Sequence, residues 1–176
     1  MKILKVILTG IVGLIVLALI VALFVKKEYA VEREIVINKP KQQVFDYIKF
    51  IKNQDNYSVW NRMYPNKKTS YKGTDGTVGF VYAWDDKESA GEQEITKITE
   101  GERMDMALRF KVPFEANDQA YMITEAVTDG QTKVKWGFSG SMKYPMNLMI
   151  LCMNMEDMLG KDLQKGLEDL KVILEK

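Results

Sequence analysis

The chain has 176 residues, 47% apolar and 28% charged, the balance of a globular protein with room for one ordinary domain and little more. Residues 28–176 hold 21 basic and 24 acidic side chains, a net of −3, without the concentrated basic face that nucleic-acid binding requires. Histidine is absent and Cys152 is the single cysteine, which removes the commonest general base, the commonest metal ligand and any internal disulfide.

The first element is apolar. Val6 to Val25 is free of charge over 20 residues, about 30 Å as a helix, which matches the hydrocarbon core of a bilayer. A cleaved signal peptide is the alternative, but it needs a shorter apolar core and a small-x-small exit, and neither Ala22-Leu23-Phe24 nor Glu28-Tyr29-Ala30 supplies one. Residues 1–27 are therefore expected to form a single-pass membrane anchor, and 28–176 the folded domain. Orientation is undecided, because Lys2, Lys5 and the amino terminus balance Lys26, Lys27 and Arg33. Thr9-x-x-x-Gly13 permits close helix packing within the span.

Beyond Lys26–Ala30, alternation of Val31, Arg33, Ile35 and Ile37 with Glu32, Glu34 and Val36 predicts a half-buried strand. Pro40 then suits the first turn of a helix with Val44, Phe45 and Ile48 inward, and a second helical piece is expected within Ile51–Tyr64. From Lys67 the period becomes two, with turn residues about every ten positions. Strands are expected at Lys68–Lys72, Val78–Asp85, Glu92–Thr99, Arg103–Lys111, Gln119–Thr128 and Thr132–Met142.

Pro145 to Glu175 reads as one long helix. Cys152, Met155, Leu159, Leu163, Leu167, Leu170 and Leu174 form its inner stripe, while Met146–Met153 is apolar on nearly every side and must be covered. That excess suggests a mobile lid through which a guest passes between membrane and cavity.

Several stretches resemble the SRPBCC superfamily, also called START-like or Bet v 1-like, and within it the polyketide cyclase/dehydrase-type group. They are Arg33-x-Ile35-x-Ile37-x-x-Pro40-x-x-x-Val44-Phe45, Tyr71-x-Gly73-x-x-Gly76-x-x-Gly79 followed by Trp84, Phe110-x-x-Pro113, Thr132-x-Val134-x-Trp136, and Gly160-Lys161-Asp162-Leu163-x-Lys165-Gly166-Leu167. The resemblance implies an α+β helix-grip fold, a seven-stranded antiparallel sheet around the long C-terminal helix with an apolar cavity between them. Its members include lipid carriers, hormone receptors and aromatase/cyclases, so it implies little about activity.

Candidates for lining that cavity are Tyr82, Trp84, Met106, Phe110, Tyr121, Trp136, Phe138, Met149 and Met153, with Trp60 as a further aromatic; ordinary core is the competing use for each. Asp85, Asp86 and Glu88 read as a solvated hairpin tip, not a calcium loop. Glu94 and Glu125 could be inward acids, which strand parity leaves open. Cys152 has no histidine to activate it, and Asn56-Tyr57-Ser58 fits a glycosylation sequon. The expectation is a membrane-anchored, non-catalytic module for a hydrophobic small molecule or lipid, without cofactor or metal. A cyclase or dehydrase using a Tyr or an inward Glu is the alternative, and a ligand-free interaction module a third.

Overall fold

A computed structural model describes residues 2–176. Helix α1 (Lys2–Phe24) leads almost directly into strand β1 (Glu28–Ile37). Then come α2 (Lys41–Ile48), a 3-10 turn at Ile51–Asn53, and the short helices α3 (Gln54–Tyr57) and α4 (Val59–Met63). The meander follows as β2 (Lys68–Lys72), β3 (Val81–Asp85), β4 (Ala90–Thr99), β5 (Arg103–Val112), β6 (Ala116–Thr128) and β7 (Gln131–Ser141). A 3-10 turn at Met146–Leu148, the single turn α5 (Met149–Cys152) and the long helix α6 (Met155–Leu174) complete the chain.

All seven strands form one antiparallel sheet in the order β1-β7-β6-β5-β4-β3-β2, so the first strand closes onto the last and the meander runs outward from it. Inward positions alternate with wet ones, as half-buried antiparallel strands require. The helix-grip arrangement follows, with α6 lying across the inner face and contributing the buried residues Leu163, Leu167 and Leu170.

Antiparallel pairing sorts the strand ends into two groups about 30 Å apart. At one end lie the start of β1, the end of β7 at Ser141, the β5–β6 loop, the β3–β4 hairpin and the chain entering β2. The other end carries Asn38, Gly101, Gly130 and the C-terminus of α6, where Glu175 accepts a hydrogen bond from the Asn38 amide at 2.6 Å. This second half is solid core, with Ile37, Phe45, Ile48, Ile95, Met104 and Val134 fully buried.

The expected continuous helix from Pro145 is broken. Met153 is extended, and Asn154 caps α6 by accepting at its side-chain oxygen from the Asp157 backbone amide at 3.2 Å while its side-chain Nδ2 donates to the Asp157 carboxylate at 2.7 Å. Such reciprocal capping starts a helix and does not continue one. Cys152 therefore leaves the inner stripe and stands exposed. The preceding segment folds back against α1: the buried Asn147 donates to the carbonyls of Ala22 at 2.7 Å and Val25 at 3.0 Å. Helix α1 is long and apolar enough to cross a membrane, and Ala22 is its one buried residue among those described.

Candidate functional site

The half of the inner face nearest α1 is not filled. A cavity of about 280 Å³ lies between β3–β7 and the cover formed by α3, α4 and α6. Its walls carry Trp60, Trp84, Trp136, Leu108, Phe110, Phe138 and Leu159, and Gln54, Gln93, Ser58 and Lys67 bring a few polar groups. The protein has three tryptophans, and all three line it.

Aromatic packing sets the shape. Trp136 meets Tyr57 and Trp60 edge-on at 5.6 and 5.9 Å between ring centroids, and Trp84 meets Phe110 at 5.7 Å. These edge-to-face contacts fix ring orientations. Trp136 reaches the helix because Gly166 faces it: a Cβ there would stand 2.8 Å from the indole. The Trp84 indole donates to Ser89 Oγ at 3.0 Å, which holds its ring over the hairpin side of the mouth.

The polar groups are mostly committed to each other. Tyr82 donates its hydroxyl to Asp55 at 2.8 Å, and burial, reinforced by that carboxylate, pushes the phenol pKa far up. Lys67 lies 3.8 Å from Asp55 and donates to the Asn61 carbonyl, with burial pulling its pKa below the ordinary lysine value. The amides of Gln54 and Gln93 both donate toward the Met106 sulfur at the base of the cavity.

Of the residues singled out from sequence, the structure brings Tyr82, Trp84, Phe110, Trp136 and Phe138 together on the cavity wall. Met106 sits beneath the wall as core, 1% exposed. Tyr121 is on the opposite face of the sheet. Its strand phase is that of Arg103 and Glu32, its ring lies across Gly137, its hydroxyl donates to Glu32, and the Arg103 guanidinium stands 4.2 Å over the ring. Met149 and Met153 are displaced by the break before Asn154: Met149 is on the exposed α5, and Met153 borders a shallow groove beside Tyr29 and Val31. Residues 146–153 consequently do not border the cavity, and the mouth is roofed by Trp60, Met63 and Tyr64 from α4 and its exit.

Glu94 and Glu125 also point outward, paired with Arg109 and with Lys135 at 2.7 Å. The inward acid is Asp118, in phase with Ala120 and Met122. Both its carboxylate and the Tyr29 hydroxyl crowd the Cα of Gly140, and its Oδ1 has no hydrogen-bond partner among the described residues. Burial raises the Asp118 pKa above its ordinary value; burial and the nearby Asp118 charge push Tyr29 to about 12. The wall residues Gln93, Leu108 and Ala120 were also missed, although strand parity places each of them inward. No group of three or more His, Cys, Asp or Glu side chains able to hold a metal occurs among the described residues.

No family model matches the chain, and no curated protein matches it in sequence. Solved structures do match its fold. A protein of Nitrosospira multiformis aligns with a TM-score of 0.61 at 17% identity, covering 83% of this chain and 96% of its own. Ara h 8.0201 aligns at 0.55 and 16%, over 84% of this chain and 95% of its own. DynU16, a protein of the dynemicin biosynthetic locus, aligns at 0.58 and 11%, over 84% of this chain and 47% of its own. At these identities the likeness is one of fold, the Bet v 1-like helix-grip fold.

Proposed function

We propose that the protein is a membrane-anchored binder of a hydrophobic small molecule or lipid, held non-catalytically in the aromatic cavity. The observation that carries this reading is the cavity itself, a space of about 280 Å³ between the sheet and its helical cover, walled by three tryptophans and two phenylalanines. Apolar walls with a few polar groups are the usual construction of small-molecule sites, and this volume lies just below their usual range of about 300–1,000 Å³. A ring compound or a single acyl chain fits such a space better than a two-chain lipid.

The anchor supports the same reading. Helix α1 presents 23 residues, about 35 Å, whose large apolar side chains are exposed nearly all round, a surface that lipid solvates and water does not. The tyrosine at the cavity favours binding over catalysis. Tyr82 is held protonated and already donates to Asp55, and a phenol so far from neutrality is a poor acid or base at pH 7.

Native mass spectrometry of the full chain released from detergent, with the extracted lipid identified separately, tests the proposal. A stoichiometric apolar guest supports it. An empty protein whose tryptophan emission is unmoved by added fatty acid or ring lipid would falsify it. A second reading, a cyclase or dehydrase-type enzyme, rests on Lys67, an amine on the cavity wall whose pKa burial pulls below the ordinary lysine value. Turnover of an aromatic or polyketide-like substrate, abolished by Lys67→Met, would select it.

A further inference from the structure

The cavity lies at the end of the sheet where α1 enters. Only residues 25–27 separate α1 from β1, so Phe24 and Glu28 are at most about 14 Å apart, and the Lys27 carbonyl already accepts from the amide of Met142, the residue after β7, at 2.8 Å. Asn147 ties Ala22 and Val25 to the same end. The helix end, the sheet end and the mouth are therefore one structural unit without a free linker.

Around this end the chain leaves large apolar side chains in the open. Phe114, at the tip of the β5–β6 loop, is 69% exposed, and Leu151 of α5 is 64% exposed. Met63 at the roof of the mouth is half exposed, as are Tyr144 and Met146 beside α1. They come from three separate segments, and nothing in the domain's core requires any of them. Lys26, Lys27 and Lys143 stand among them with Glu28 and Glu115, so the rim carries no strong charge of one sign.

We propose that this rim is a second membrane-contact surface. Met63, Phe114, Tyr144, Met146 and Leu151 seat in the headgroup–acyl boundary of the leaflet in which α1 ends. The cavity then opens onto that leaflet and takes a single-chain or ring lipid from it without passage through bulk water. The contact rests on apolar burial, of the kind that holds interfacial elements about 5–10 Å into that boundary. The proposal builds on the reading of α1 as a span and of the cavity as a lipid site.

The test uses the full chain with Cys152→Ser in phosphatidylcholine vesicles, carrying one bimane-labelled cysteine at a time. Phe114→Cys and Tyr144→Cys probe the rim, and Asp129→Cys, at the far end of the sheet, is the control. With a nitroxide on the lipid headgroup, emission at 114 and 144 is expected to fall while 129 is unaffected. A chain that does not float with the vesicles overturns the anchor and the proposal together. A floating chain whose label at 114 is quenched no more than at 129 overturns the rim contact alone.

Entry is read separately, through quenching of the intrinsic tryptophans by doxyl-stearic acid. Phe114→Asp with Met146→Asp should slow quenching from preloaded vesicles while leaving quenching in detergent intact. An unchanged vesicle rate overturns entry from the leaflet. Absence of quenching in detergent, in the unaltered rim, overturns the lipid-site reading and entry with it, while the depth measurement still decides the contact.

Discussion

Asn147 Nδ2 donates to the carbonyl oxygen of Ala22 at 2.7 Å, so a side chain from the start of the C-terminal segment completes the end of the N-terminal helix, 125 residues away. The last carbonyls of a helix lack partners within it, and here one amide serves Ala22 of the last turn and Val25 just beyond it. Replacing Asn147 by Ala removes both bonds, each worth about 0.5–1.5 kcal/mol. The expected outcome is faster tryptic cleavage at Lys26 and Lys27 in detergent and faster amide exchange over 146–152, with the sheet unchanged. Equal cleavage rates in the two proteins would count against the tie.

Trp136 and Trp84 both face the cavity, yet their truncation should differ. Trp136 is 4% exposed, central in β7 and wedged between Tyr57, Trp60 and α6, so Trp136→Ala is expected to cost about 3–5 kcal/mol. Trp84 is only half-buried beside the hairpin, and its loss should be smaller. Denaturant midpoints of the two variants check the order.

Gly166→Ala sets two effects against each other. Alanine favours an α-helix over glycine by about 1 kcal/mol, but its Cβ would stand 2.8 Å from the Trp136 indole, which edge-on contacts with Tyr57 and Trp60 hold in place, and overpacking costs about 1–3 kcal/mol. The net result is expected to be a loss of stability and a blue or red displacement of tryptophan emission. A stabilised variant would show that Trp136 yields into the cavity.

Asp118 makes stability depend on pH in an unusual direction. Its folded pKa is raised, so between the ordinary carboxylate pKa of 3.8 and the folded value the folded protein binds more protons than the unfolded chain. Stability therefore falls as pH rises through that window, and the penalty is complete above the folded pKa. Asp118→Asn, which keeps the shape without the charge, should flatten this part of the profile and raise the denaturant midpoint at pH 7.5 more than at pH 4. An Asn variant with the same slope as the parent would assign the dependence elsewhere.

Period-two alternation made the meander legible, and turn residues placed its strands to within a few positions; Lys68–Lys72 coincides with β2. The same alternation puts Trp136 and Phe138 on the wall. It also shows why Tyr121 was misread: it is an aromatic residue in the outward phase, where its ring is covered by Arg103 and Gly137 and not by the core. Met149 and Met153 failed for another reason. Their apolar run continues the helical pattern of α6 in sequence, and only the Asn154-x-x-Asp157 cap separates them. The cavity's existence had no local signature, because a void is a property of what α4 and α6 leave between them.

The three residues between α1 and β1 also fix what kind of machine this can be. A binding domain on a long flexible tether sweeps a volume and can ferry cargo between surfaces, its effective concentration falling with tether length. Here the tether has no slack. On the proposed reading, with α1 in a bilayer, the domain would search in two dimensions by lateral diffusion, and a guest would be handed to a recipient that comes to the same membrane face.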